Sequence, residues 1–354
     1  MHLLVAITSH GFGHAAQVAP VVKALRRRRG ALKVTVLSSL PAGFVLSRIA
    51  GDFDLIEEAP DFGLIMNSAL AIDLDASAAA YRELHAGWQA KVDREAERLA
   101  RMAPDLVLAD VPYLTLAAAA QAGIPALALC SLNWADTYRH YFGSLPEAPE
   151  ILRQMENAYN GARAFLCPEP SMPMPFLNNR VDIGPIAAVA TPQRDRLRQQ
   201  LGIDTNDVVV LVAPGGVATR FPVEDWPAGQ GIHWLVSECW QVRHPDVSYY
   251  EATGLGFTDL IASCDAVLGK CGYGTVAECV ANGTPLLYIP RPDWPEEETL
   301  LRWLEAHGAA LPVDPQRLET GSFADLIAPL RSMQVSPCRP HGADDAADWI
   351  DRHF

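Results

Sequence analysis

Short runs of apolar, β-branched residues alternate along this chain with longer stretches rich in Ala, Leu and Arg. Residues 3–8 (LLVAIT), 34–39 (VTVLSS), 106–109 (LVLA) and 125–130 (PALALC) read as strands, with helices at 15–29 and 114–122. That alternation predicts βαβ units around a parallel sheet whose strands, covered on both faces, have no polar side. The pattern breaks at residues 167–192, where CPEPSMPMPF and GPIAAVATP are rich in proline and lack helical period, as an interdomain linker does. It resumes with strands at 208–213 (VVVLVA), 266–269 (AVLG) and 285–290 (PLLYIP) and helices at 257–264 and 275–282. The expected fold class is α/β: two Rossmann-like, doubly wound domains facing a cleft, residues 1–180 and 181–354, with a C-terminal helix packing back on the first.

Length supports two domains, because 354 residues exceed the roughly 250–300 at which one core stops growing. An apolar content of 49% excludes a disordered chain. Forty-two acidic against 28 basic residues give a net charge of −14, so no nucleic-acid partner is expected. The 7 cysteines form no CxxC pair, which suggests neither a disulfide framework nor a zinc ribbon and fits a reducing cytoplasm. The apolar run 3–7 is shorter than a signal-peptide core, and the apolar stretch 114–130 is interrupted by Gln121, Gly123 and Pro125, so no integral membrane association is expected. Arginines 26–29 end the first helix, where the dipole and solvent both favour cations; that reading outweighs lipid binding.

Candidate chemistry gathers where strands end. The first strand runs into Ser-His-Gly-Phe-Gly-His, residues 9–14, in which Gly11 and Gly13 allow a sharp turn close to a ligand. Only two glycines precede the helix, so the dinucleotide fingerprint is absent. His10 and His14 can take a proton from a hydroxyl, although His14 also reads as a helix-start residue bonded to backbone. Asp110, at the end of LVLA, either orients such an imidazole or caps residues 111–113. Ser131 has no G-x-S-x-G surroundings and is a poor nucleophile. Asp73-Leu74-Asp75 matches the DxD string of metal-dependent transferases but precedes an Ala-rich helix, where N-capping is the stronger reading, so no metal is expected. Trp134, Tyr138 and Tyr141 offer stacking faces, though such spacing is more often core.

A second loop, GKCGYGTVAECVANGTPLLYIP at 269–290, places a glycine-rich turn before a helix predicted from Thr275, a ready phosphate site. Lys270 stands out in a chain with 24 Arg and 4 Lys, and its compact ammonium suits a diphosphate. Glu278 follows Thr275 by three residues, the spacing of a capping box and equally of a carboxylate accepting two ribose hydroxyls. The RPDWPEEE run places Asp293 and Glu296, Glu297 and Glu298 at a strand end, as sugar-binding acids or as a solvated loop. Gly215 and Gly216 form a third glycine turn.

Taken together, GFGH with its helix, PDLVLAD and AGIP, and GKCGYGTVAE with GTPLLYIP resemble the nucleotide-sugar glycosyltransferases of the GT-B fold. SHGFGHA, SLNWADTY, LGKCGYGTVAE and the DW-PEEE-TLLR stretch resemble in particular the glycosyltransferase-like half of plant arabinokinases. The resemblance implies that His14 is the base of an inverting transferase and that Asp110 lies near the aspartate that partners it. Lys270 stands in the place of a diphosphate-binding histidine, Gly272, Tyr273, Gly274 and Thr275 form the diphosphate loop, and Glu278 binds ribose. The Asp-Gln pair that grips the donor sugar in many members is replaced by Asp293 and the acids 296–298. No second glycine-rich kinase loop follows, so kinase chemistry is not implied. The expected activity is metal-independent transfer of a sugar from a nucleoside-diphosphate donor, UDP-linked, to a small-molecule or glycan hydroxyl, with no cofactor. A nucleotide-sugar epimerase or hydrolase, and a silent nucleotide-sugar-binding protein, are the alternatives.

Overall fold

All but the first residue of β1 (His2–Ile7) are buried, because helices cover both faces of the sheet it centres. The computed structural model describes residues 1–59, 61–216, 219–336 and 338–354. Around β1 stand β2 (Lys33–Leu37) and β3 (Asp54–Ile56); β4 (Met66–Ser68) and β5 (Ala71–Ile72) make a separate antiparallel hairpin. Then follow β6 (Leu106–Asp110), β7 (Ala126–Leu129), β8 (Ala164–Pro168) and β9 (Arg180–Ile183). The seven-stranded sheet is parallel throughout, in the order β3-β2-β1-β6-β7-β8-β9. The proline-rich stretch that reads as linker therefore contributes β9 to this sheet.

Strand order reverses between β1 and β6, and their register sets Ile7 beside Asp110. In an open α/β sheet that reversal leaves a crevice outside the carboxyl ends of the two strands. The helix Gly13–Arg28 lays Ala15, Val18, Val22 and Leu25 on Leu3, Val5 and Ile7. This first compact unit comprises Met1–Ile186 and Pro340–Phe354.

The second unit, Ala187–Arg339, repeats the architecture. Its strands are β10 (Val208–Ala213), β11 (Ile232–Val236), β12 (Val247–Tyr249), β13 (Ala266–Lys270), β14 (Leu286–Ile289) and β15 (Ala310–Pro312). They form a parallel sheet in the order β12-β11-β10-β13-β14-β15, which reverses between β10 and β13. Ala213 pairs with Gly269 there, so the turn after β10 and Lys270 share a crevice of the same kind. Among the described residues, no helix is long and apolar enough to cross a membrane.

The C-terminal helix Gly342–His353 joins the first unit's core through Ala346, Ala347 and Ile350. Its acids meet the arginine cluster: Arg27 bonds Asp344 at 2.9 Å, Arg29 bonds Asp351 at 2.7 Å, and Arg28 contacts Asp344, Asp348 and Asp351. Those acids are substantially exposed, so water and salt screen the pairs and apolar contact dominates the docking. Replacing Asp344, Asp348 and Asp351 together by Asn should cost about 1 kcal/mol and vanish at about 0.5 M salt. Ile350→Ala, at a fully buried position, should cost ~2–5 kcal/mol at any salt. Urea unfolding at low and high ionic strength compares the two variants.

Candidate active site

At the mouth of the β1/β6 crevice the first unit buries a histidine against a carboxylate. His14, the second residue of its helix, is 5% exposed and Asp110 is fully buried. His14 Nδ1 lies 2.8 Å from Asp110 Oδ1, so the imidazole is held by the carboxylate rather than by backbone. With Nδ1–H donating to Asp110, Nε2 carries the lone pair. No partner for Nε2 is found among the described residues. Asp110 does not cap the following helix: Tyr113–Gln121 begins after Pro112 without a side-chain cap of its own, and Leu114 N donates instead to Asp61 at 2.9 Å.

His10 is placed differently. Its Nδ1 sits 3.1 Å from the Leu64 carbonyl and 3.2 Å from the Leu64 N, and its ring meets Trp134 edge-on at 5.0 Å. Trp134 is fully buried behind both histidines, with Nε1 3.4 Å from Thr8 Oγ1. Residue 63 must be glycine, because a Cβ there would lie 2.3 Å from the indole. Trp134 and Tyr138 are thus core, while Tyr141 is half-buried. Gln17 ties the helix to the end of β7, accepting from Ser131 N at 3.1 Å and donating to Ser131 Oγ at 3.4 Å. Ligand atoms of His14, Asp110 and Cys130 lie within 4.8 Å of one another. A metal ion there would have to displace the His14–Asp110 hydrogen bond. Asp73 caps the helix Leu74–His85 by accepting from Ala76 N at 2.9 Å.

Asp61, unmarked by any motif, precedes a segment that meets the residues around this site. Tyr81 donates to the Gly63 carbonyl at 2.6 Å, and Leu64 holds His10. Burial pushes the Asp61 carboxyl up to about 8, with Glu95 adding to the rise and the N–H groups of Leu114 and Tyr113 opposing it.

In the second unit, Lys270 ends β13 half-buried. Gly215 turns beside it with φ 112°, a backbone conformation that favours glycine, and a Cβ there would lie 2.8 Å from Lys270 Cε, so the lysine end would have to shift. Gly216 follows in the same turn. Gly272 is the N-cap of the helix Tyr273–Asn282, and Tyr273, Gly274 and Thr275 are its first three residues, whose N–H groups no helical carbonyl satisfies. The helix thus begins two residues before the predicted start. Thr275 lies inside it, so Glu278, 3% exposed, does not close a capping box.

The acids beyond β14 divide their duties. The Arg291 N–H donates to both oxygens of Glu297 at 2.7 and 2.8 Å, and burial raises the Glu297 carboxyl above its usual range. Arg291 Nη2 donates to the Cys271 carbonyl at 2.5 Å, and the guanidinium lies 4.7 Å over the Trp294 ring. Glu297 therefore fixes the loop, Asp293 is exposed, and Glu296 is buried with Oε2 3.3 Å from Trp294 Nε1. Burial, together with the Arg291 cation, pushes the Lys270 ammonium down to about 7, against an opposing pull from Glu296.

No protein-family profile matches this sequence. The L-arabinokinase of Arabidopsis thaliana is 26% identical over 347 residues, 96% of this chain and 33% of that protein, so the chain spans a third of that relative's length. An uncharacterized glycosyltransferase of Methanopyrus kandleri is 25% identical over 323 residues, 82% of this chain and 89% of that protein. Among solved structures, the kitacinnamycin glycotransferase superposes with a TM-score of 0.62 at 18% identity, covering 99% of this chain and 98% of its own. The calicheamicin glycosyltransferase CalG4 gives 0.60 at 16% identity, with 99% and 93% covered. The chain has the GT-B fold: two Rossmann-like domains, each a parallel sheet between helices.

A carboxyl held above its unfolded value favours the folded state at low pH and loses that advantage as pH rises toward its folded value. Asp61→Asn keeps an acceptor for Leu114 N–H without the titrating charge. Relative to wild type, the variant should gain stability steadily between pH 5 and pH 8, as urea unfolding at both pH values measures; a pH-independent difference would contradict the burial argument.

Proposed function

We propose that this protein is a glycosyltransferase of inverting, metal-independent chemistry, moving a sugar from a nucleoside-diphosphate donor, with UDP as carrier, to an acceptor hydroxyl. The observation that carries the reading is the buried 2.8 Å hydrogen bond between His14 Nδ1 and Asp110 at the β1/β6 reversal. His14 Nε2 takes the proton of the acceptor hydroxyl as its oxygen attacks the anomeric carbon, and Asp110 stabilises the imidazolium that forms. Attack from the face opposite the diphosphate inverts the configuration in one displacement.

The leaving diphosphate gains negative charge as its bond to the sugar breaks. The first turn of Tyr273–Asn282 and the Lys270 amine are the groups of the second unit suited to receive it, and fixed N–H dipoles act most strongly on charge that develops during reaction. Glu278, buried on that helix and freed from the capping role, is suited to the ribose hydroxyls. Metal independence is supported by Asp73 being committed to a helix cap. In this reading the protein works without a cofactor.

Turnover of labelled UDP-sugars with and without pools of hydroxyl acceptors tests the assignment. Acceptor-dependent release of UDP that survives EDTA supports it; acceptor-independent release indicates a hydrolase, and binding without release a silent protein. His14→Ala should lower turnover by about 10² to 10⁴ with UDP binding retained, the range for a lost general base, and His10→Ala should act chiefly on stability. Glu278→Ala should weaken UDP binding by about 1.5–3 kcal/mol and leave a 2′,3′-dideoxy analogue nearly unaffected, as titration calorimetry reports.

A further inference from the structure

Three kinds of neighbour act on the Lys270 side chain within its unit. Its stem packs against two backbone turns, with Gly215 and Gly272 so close that added Cβ atoms would lie 2.8 and 3.8 Å from Cε. Arg291 brings a fixed cation, anchored by the Cys271 carbonyl and Glu297. The helix that starts at Tyr273, three residues beyond the lysine, presents its positive end. Glu296, the N-cap of the helix Glu297–His307, is the opposing charge, and the Gly215 turn contributes none. Among the described residues no hydrogen bond or ion pair holds the ammonium.

We propose that Lys270 stands as a largely uncharged, nucleophilic amine in the ligand-free protein, condenses with phosphate-bearing aldehydes, and regains its proton when a nucleoside diphosphate binds. Burial beside a cation and a helix start disfavours the ammonium, in line with its descent to about 7. A phosphate group at the helix start adds an anion to that of Glu296 and brings the aldehyde to the amine. The nitrogen lone pair attacks the carbonyl carbon, a C–N bond forms as the C=O π bond opens, one amine proton moves to the oxygen, and the carbinolamine loses its hydroxyl with the second amine proton as water to give an imine. Only the final clause of the proposal rests on the donor-site reading given above.

The chain supplies its own controls, since its other lysines are 23, 33 and 91. Lys23 and Lys33 are exposed, and Lys91 bonds the carbonyls of Glu83, Leu84 and Ala86. The full chain is treated with pyridoxal 5′-phosphate at pH 7, trapped with borohydride, and mapped by peptide mass spectrometry. Lys270 should label roughly ten-fold or more faster than Lys23 or Lys33, because a far larger fraction is unprotonated. UDP should block that labelling and leave the other sites unchanged. Titration of UDP at pH 7.5 in buffers of differing ionisation enthalpy should then show uptake of more than about half a proton, absent in Lys270→Arg, whose guanidinium stays charged.

Labelling of Lys270 no faster than Lys23 overturns the neutral amine. UDP binding without proton uptake overturns the return of the proton while the donor-site reading stands. Fast labelling with no UDP binding upholds the amine and counts against the donor site itself.

Discussion

The hydrogen bond between His14 and Asp110 joins residues 96 positions apart, and much of the first unit is arranged so that it can form. Parallel pairing of β1 with β6 brings Asp110 level with Ile7, and the glycine turn returns the chain into a helix whose second residue is His14. The buried carboxylate accepts from Nδ1 and so sets the orientation of the ring at the helix start. Trp134 packs against the ring, Gln17 ties the His14 helix to Ser131, and Leu64 holds His10.

The second unit meets the opposite electrostatic problem at the matching reversal of its sheet. The first crevice buries a carboxylate against an imidazole; the second places an amine near a guanidinium and the positive end of a helix. The two groups lie in separate units of similar architecture, each at the place where strand order reverses.

Strands of this kind are legible because burial on both faces leaves an uninterrupted apolar run, and β10, VVVLVA, is buried at every position. The places of Asp110 and Lys270 at strand ends, and of His14 in the helix that follows the first strand, are legible for the same reason: once strands are located, their carboxyl ends follow. Boundaries set by long-range pairing were not. Arg180–Ile183 carries no strong strand pattern and is a strand because β8 lies beside it. The helix at Tyr273 starts early because Gly272 takes the extended cap conformation, which a Thr-x-x-Glu match conceals. Asp61 left no trace in sequence, since its partner Leu114 is 53 residues away. Glu297 and Asp293 looked alike in an acidic run, and only the fold distinguishes the one that holds Arg291 from the one in solvent.

The first unit is also discontinuous: Pro340–Phe354 belongs to it, although all of Ala187–Arg339 intervenes. Ala346, Ala347 and Ile350 fill the same core as β1 and the Gly13–Arg28 helix. During synthesis, therefore, the half that is translated first cannot close its core until the half translated later has left the ribosome. The later half, contiguous in the chain, is free to fold as soon as it emerges. The cover of the apolar flank of the Gly13–Arg28 helix is thus translated after all of Ala187–Arg339.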